Sequence, residues 1–264
     1  MSVALNIVIL AAGQGKRMMS QRSKVLHPLA GTPMLLRVLA AAQSFAPRHL
    51  VVVVGHGAQQ VVAALPSGTL TAVQAEQLGT GHAVAQALPQ LDPSLPTVVL
   101  YGDVPCINTL DLQALIDTAG NDMAVLTAQA TDPSGYGRMV LNDAGLITAI
   151  IEHKDCTAEQ RESLREINTG VLLLPAHRAA QWLQSLQPNN VQKEYYLTDC
   201  VQLANAAGVP VPRNGSTSVP SRSSVVAESP RGSNSARLAS TSPRRRDRFA
   251  SAEEFLSRWA TVDQ

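Results

Sequence analysis

The sequence predicts an α/β fold, a mostly parallel sheet flanked by helices, and three observations carry that prediction. Strand-like segments rich in Val and Leu alternate with helical ones from the N-terminus to about residue 211. Several strand segments are apolar without a break, "VVVV" at 51–54 being the plainest, which is the mark of strands covered on both faces. Of the 264 residues 45% are hydrophobic but only 3% aromatic, so the core is built from Val, Leu, Ile and Ala, as suits a sheet under Ala-rich helices.

Each element has its own signal. "NIVILAAG" is a strand, and "TPMLLRVLAAAQSF" a helix that Thr32 can cap with Pro33 in its first turn. "HLVVVVGHG" is a second strand and "AQQVVAAL" a short helix. "TVVLYGD" is a strand, followed by a helix in "TLDLQALIDTAG" that Gly120 stops. "MAVLTAQA" is another strand, and "GRMVLNDAGLITAIIEHKD" a hairpin turning at Asn142 to Gly145. "EINTGVLLLP" is a strand, and "YYLTDCVQLANAAG" a helix ending at Gly208. Trp182 and the leucines of "AAQWLQSL" read as packing. Strand–helix alternation implies right-handed crossovers, and such sheets bind ligands at the carboxyl ends of their strands. The loop at Gly13, "GHG" and "YGD" all fall there, on one rim.

From residue 212 the composition changes. Residues 213–248 hold ten serines and eight arginines against two acids, a charge of +6, with almost no apolar periodicity. Such a segment buries too little to offset its ordering entropy, so 212–249 is expected to be disordered. In "SAEEFLSRW", Ser251 and Glu254 stand at capping-box spacing, so 250–264 is read as a short helix. The domain itself is placed at 1–211.

The whole chain has a formal net charge of +1, which favours neither nucleic-acid coating nor attraction to a membrane surface. Its three cysteines, Cys106, Cys156 and Cys200, form no C-x-x-C pair, and an odd count fits a reducing, cytoplasmic setting. The apolar start "MSVALNIVIL" lacks a basic n-region and is too short to span a bilayer.

The opening motif "LAAGQGKRM" leaves a buried strand through two glycines and then presents two cations. Backbone N–H groups in such a turn, with Lys16, Arg17 and Lys24 nearby, can grip phosphate; the same residues can form a plain strand-to-helix turn. Neither G-x-G-x-x-G nor G-x-x-x-x-G-K-[ST] is present. Asp103 of "YGD" can cap a turn or bind Mg²⁺, since magnesium takes one or two carboxylates plus substrate phosphates. Glu152 and Lys154 of "IEHKD" can be a solvated face or part of a site. The histidines lack zinc spacing, and no serine sits in a G-x-S-x-G setting.

In order along the chain stand "LAAGQGKRM", "KVLHPLAG", "QAEQLGTGHA", "YGDVP", "GYGR", "IEHKD", "EINTG" and "EYYLTD". Together they resemble the uridylyltransferase domain of the bacterial bifunctional N-acetylglucosamine-1-phosphate uridylyltransferase / glucosamine-1-phosphate acetyltransferases. "LAAGxGxRM" alone indicates only the wider sugar nucleotidyltransferases; the later motifs are more specific. The resemblance implies a Rossmann-like sheet of the nucleotide-diphospho-sugar transferase type with a β-hairpin sugar-binding insertion. It implies transfer of UMP from UTP to N-acetylglucosamine 1-phosphate, releasing pyrophosphate and making UDP-N-acetylglucosamine for peptidoglycan and lipopolysaccharide precursors.

Carried over by position, Leu10, Ala11, Ala12 and Gly13 would lie against the nucleotide. Arg17 and Lys24 would hold the triphosphate. Gln74, Gly79 and Thr80 would read the uracil and ribose, and Tyr101 and Gly102 would line the nucleotide. Asp103 would bind Mg²⁺. Gly137, Glu152 and Asn168 would contact the sugar. One departure is "RSK" before Lys24 in place of the family's "LPK".

The family also supplies a second metal ligand, an Asn from a "GVN" segment, for which "RGSNSARLA" offers Asn234. No hexapeptide repeat of the family's acetyltransferase part is present, so acetyl transfer and trimerisation through a β-helix are not expected. Two alternatives stay open: a nucleotidyltransferase for another sugar phosphate, or a nucleotide-binding domain impaired by the incomplete metal site.

Overall fold

The structure, a computed structural model, describes residues 4–15 and 20–215. In chain order it runs β1 (Asn6–Ala11), β2 (Pro28–Leu29), β3 (Thr32–Pro33), α1 (Met34–Gln43), β4 (His49–Val54), α2 (Ala58–Ala64) and β5 (Leu70–Val73). Next come α3 (Thr80–Ala87), β6 (Thr97–Tyr101), α4 (Thr109–Ala119), β7 (Ala124–Gln129), β8 (Arg138–Leu141) and β9 (Ile147–Ile151). The last are α5 (Ala158–Ser163), β10 (Glu166–Leu174), α6 (Ala179–Ser185), α7 (Cys200–Ala206) and β11 (Arg213–Gly215). No helix among the described residues is long and apolar enough to cross a membrane.

The main sheet has the order β11-β7-β10-β6-β1-β4-β5. All neighbours are parallel except β10, which is antiparallel to both β6 and β7. The expected mostly parallel α/β sheet is therefore observed. The β8–β9 hairpin joins it through β10, where Arg138 stands opposite Ile167. Side-chain alternation splits the core in two. Ile7 and Ile9 of β1 pack under α1 and α4, while Val8 and Leu10 pack under α3, α6 and α7. Trp182 belongs to the second core, as its packing role predicts.

The strand order reverses at β1: the chain proceeds from β1 to β4 and β5 on one side, then returns to place β6 on the other. Such a switch point opens a crevice between the loops that follow the two central strands. Here those loops start at Ala12 and Gly102.

Three local expectations are corrected, and two elements are new. The first helix starts at Met34, not Thr32, and Pro33 occupies the cap position without a side-chain cap. Thr32 and Pro33 instead pair with Leu29 and Pro28 around a turn in which Ala30 and Gly31 have φ of 48° and 85°. The segment "YYLTDCVQLANAAG" is helical only from Leu197, through a 3-10 turn into α7, because the backbone of Tyr195 is bonded to Leu78 and Gly81. Strand β5 and helix α3 had no sequence prediction; β5 is short, and α3 opens at a glycine pair that reads as a loop. The ordered chain also runs past 211. Val211 is fully buried, and β11 adds to the open edge of β7, held by Arg213 Nη1 on Glu166 at 2.7 Å and Asn214 Nδ2 on Thr118 Oγ1 at 3.0 Å. The short helix expected at 250–264 and most of the expected 212–249 segment lie outside the described residues.

Candidate active site

The rim of the sheet is built from the carboxyl ends of β1, β4, β5 and β6 and the amino-terminal half of β10. Ala11 ends β1 and Tyr101 ends β6, and Gly102 N–H donates to Leu10 O at 2.9 Å, carrying the pairing one step past β6. This places Leu10, Ala11, Ala12 and Gly13 beside Tyr101, Gly102 and Asp103. A Cβ added to Gly13 would meet nothing within 4 Å among the described residues, so on their side the glycine leaves room where a ligand can approach. Gly15 is different. Its φ is 56°, and a Cβ there would come within 2.8 Å of Lys24 Cβ, so this glycine lets the lysine lie close to the loop.

Lys24 opens a 3-10 turn whose next residues, Val25 and Leu26, are buried. Anchored this way, its Nζ lies 3.0 Å from Asp103 Oδ2, with the two side chains 19% and 21% exposed. Burial of that order strengthens the attraction over a surface pair and makes removal of either partner costly. Arg17 and Asn234 lie outside the described residues, so their expected roles rest on sequence alone.

Past β5, the loop from Gln74 to Gly79 folds back on itself. Gln74 is buried; its Nε2 donates to Gly79 O at 3.0 Å and stands 3.1 Å from His82 Nδ1. The side-chain amide expected to read the base thus also shapes its own loop. Gln14 Nε2 reaches Gln77 Oε1 at 3.2 Å, tying this loop to the first one.

The three residues expected on the sugar side come together where the open end of the β8–β9 hairpin meets β10. A Cβ on Gly137 would stand 3.3 Å from both carboxylate oxygens of Glu152, so glycine is what admits the carboxylate there. Asn168 N–H donates to Gly137 O at 2.9 Å, and Asn168 Oδ1 accepts from Gly170 N–H at 2.9 Å, which fixes the orientation of the side chain. Burial pushes the Glu152 carboxyl up; the Thr198 hydroxyl, donating at 3.2 Å, opposes this, while Asp155, Asp199 and Glu194 add to it. Glu152 also lines a cavity of about 340 Å³ with Asp155, Asn190, Tyr196 and Asp199.

Tyr101 joins the two halves. Burial raises the pKa of its hydroxyl far above the ordinary value; the charges of Glu152 and, less, Asp103 add to this, and the neighbouring Thr80 hydroxyl opposes it. Its ring leaves no space over Gly170: a Cβ at that residue, whose φ is 85°, would approach the ring to 2.7 Å. The sequence reading assigned no role to Gly170, Tyr195 or Thr198. The last two lie in the quoted "EYYLTD", but nothing in that motif says which loop it touches.

Among the described residues no group of three or more His, Cys, Asp and Glu could hold a metal ion. Asp103 still fits magnesium, which needs few protein carboxylates when substrate phosphates complete its shell. That it already holds a cation, the Lys24 ammonium, indicates the sign of charge the position favours.

A sheet with helices on both faces, a cation–carboxylate pair at its switch point and a polar cluster where the hairpin meets β10 is the arrangement of a nucleotidyltransferase. The chain belongs to the MobA-like NTP transferase domain family, whose sequence profile matches residues 7–186. It is 55% identical over 209 residues to the bifunctional protein GlmU of Burkholderia ambifaria, a match covering 78% of this chain and 46% of that protein. It is 54% identical over 209 residues to the protein of the same name from Paraburkholderia phymatum, with the same coverage of 78% and 46%. The chain thus spans about half the length of the curated relatives it matches. Two solved structures share the fold. One is a Bacillus anthracis protein assigned as a glucose-1-phosphate thymidylyltransferase, in complex with sucrose, at 20% identity and a TM-score of 0.66 over 81% of this chain and 87% of that one. The other is the inositol-1-phosphate CTP transferase of T. maritima, at 16% identity and a TM-score of 0.61 over 81% and 87% of the two chains. At such identities the likeness is one of fold.

Proposed function

We propose that the chain transfers UMP from UTP to N-acetyl-α-D-glucosamine 1-phosphate, giving UDP-N-acetylglucosamine and pyrophosphate. The observation that carries this reading is the pairing of two polar groups across Tyr101: Lys24 with Asp103 at the switch point, and Gly137 and Glu152 at the open end of the hairpin with Asn168 of β10. The first suits a triphosphate and its metal; the second suits a ligand rich in hydroxyl groups. The likeness to the GlmU proteins over 78% of the chain supports the choice of sugar and base.

An oxygen of the sugar phosphate attacks the α-phosphorus of UTP, forming one O–P bond as the bond to the bridging oxygen breaks and pyrophosphate leaves. A phosphate monoester is already an anionic nucleophile, so no side chain has to remove a proton. The residues act by position and charge. Lys24 neutralises the charge that builds on the departing phosphates, and Arg17 is assigned the same task from the sequence. The loop of Leu10 to Gly13 lies along the nucleotide, while Gln74, Gly79 and Thr80 face the uracil and ribose. Glu152 accepts from sugar hydroxyls, and Asn168 and Gly137 fix the ring beside it. Asp103 is the residue to hold Mg²⁺, which when bound supplies Lewis-acid neutralisation of the reacting phosphates.

The test is pyrophosphate release from the full chain with a panel of nucleoside triphosphates and sugar phosphates. Release should be fastest with UTP and N-acetylglucosamine 1-phosphate together. Faster release with another base or sugar would replace the substrate assignment, and binding of UTP without any release would leave a nucleotide-binding domain.

A further inference from the structure

The segment 194–199, "EYYLTD", crosses from the nucleotide side of the rim to the sugar side. Tyr195 is bonded by both its backbone groups to the base-side loop: its N–H donates to Leu78 O at 2.8 Å, and its carbonyl accepts from Gly81 N–H at 2.8 Å. The contact is close enough to exclude side chains opposite. A Cβ on Gly79 would come 2.6 Å from Tyr195 O, and one on Gly81 3.0 Å from the same atom. Two residues on, Leu197 N–H donates to Thr80 Oγ1 at 3.0 Å. The next residue, Thr198, is buried, and its hydroxyl donates to Glu152 Oε1 at 3.2 Å.

We propose that this segment is a strap coupling the two substrate subsites, and that Thr198 is a positioning residue that aims the Glu152 carboxylate at the sugar. The inference rests on the reading of function above. One strap atom is fixed by the base-side loop and the adjacent residue holds the sugar-side carboxylate, so a displacement at Thr80 is passed to Glu152 through one residue of backbone. The 3-10 turn at Leu197–Asp199 holds the dihedrals along that short path. Glu152, one residue past β9, is not aimed by its backbone alone, because a carboxylate at the end of a two-carbon stem has several rotamers; the Thr198 hydroxyl selects one of them. Thr80 carries two duties: it faces the nucleotide, and it holds the strap.

The experiment is steady-state pyrophosphate release by the full-length wild-type chain and by Thr198→Val and Thr198→Ser, varying each substrate in turn. Thr198→Val keeps the shape and removes the donor. It should raise KM for the sugar phosphate about tenfold or more, the usual consequence of losing a hydrogen bond to a buried charge, while KM for UTP stays within about twofold. Thr198→Ser should restore the wild-type sugar KM. A Thr80→Val, Thr198→Val double variant should lose less than the product of the two single losses, because both break one strap. If the wild type turns over and Thr198→Val leaves the sugar KM unchanged, or raises both KM values equally, the strap is overturned and the function stands. If no sugar phosphate supports release by the wild type, the reading of function falls, and the strap falls with it.

Discussion

Lys24 Nζ and Asp103 Oδ2 lie 3.0 Å apart across the crevice between β1 and β6, so the residue expected to grip phosphate and the one expected to bind metal hold each other. The pair is mostly shielded from solvent, and each group therefore depends on the other for its charge balance. Lys24→Met should lower turnover at least about 100-fold, the usual cost of removing one charge-stabilising group. It should also cost the metal-free protein about 1–3 kcal/mol, because the Asp103 carboxylate is left short of a cation. Thermal unfolding with and without Mg²⁺ checks this: the ion should restore more stability to the variant than it adds to the wild type. Equal shifts in both proteins would separate Lys24 from the metal site.

Asp103→Asn keeps the size of the side chain and removes its charge. Turnover should fall at least about 100-fold at saturating magnesium, with an unchanged circular-dichroism spectrum. Activity near wild type would take Asp103 out of the mechanism.

Glu152 gives a prediction about pH. Its carboxyl is raised by burial and by Asp155, Asp199 and Glu194, so the folded chain binds the proton more tightly than the unfolded chain does. The folded state therefore gains stability as pH falls below the raised value and loses it as pH rises through it. Glu152→Gln, which is never charged, should be more stable than the wild type at neutral pH, and the difference should shrink on acidification. Sugar-phosphate binding should run the other way. The wild-type KM should worsen as pH falls, at a higher pH than an ordinary carboxylate would give, because the protonated group is a poorer acceptor. Urea midpoints and KM measured across the acid range test both signs.

Gly170→Ala adds one carbon where the Tyr101 ring stands, at a backbone conformation that side chains rarely adopt. Strain of about 1–3 kcal/mol is expected, together with a displaced ring and reduced turnover. Denaturant unfolding should show the loss. A variant as stable and active as wild type would mean the ring has room to move.

How far the sequence alone could go is clear from particular residues. "VVVV" at 51–54 predicts a central strand because an uninterrupted apolar run has no other place to go, and β4 is that strand. "YGD" places Asp103 at a strand tip, where the structure has it. Glu152 and Gly137 are fifteen residues apart in the chain, and only the hairpin register brings them together. The strap was not legible. "YYLTDCVQLANAAG" has helical spacing, and the hydrogen bonds that keep Tyr195 extended come from Leu78 and Gly81, more than a hundred residues earlier. Thr32 likewise looks like a cap, but the turn at Ala30 and Gly31 commits it to a strand pair. Local pattern fixes what a segment prefers; it does not reveal which distant backbone will claim it.

A crystal structure of the chain with UTP and Mg²⁺ tests the central claim most directly. The triphosphate should lie over Ala12 and Gly13, with Lys24 moved from Asp103 to the phosphates and the ion on the Asp103 carboxylate. A nucleotide bound away from the β1–β6 crevice, or an Asp103 still paired with Lys24 and free of metal, would contradict it.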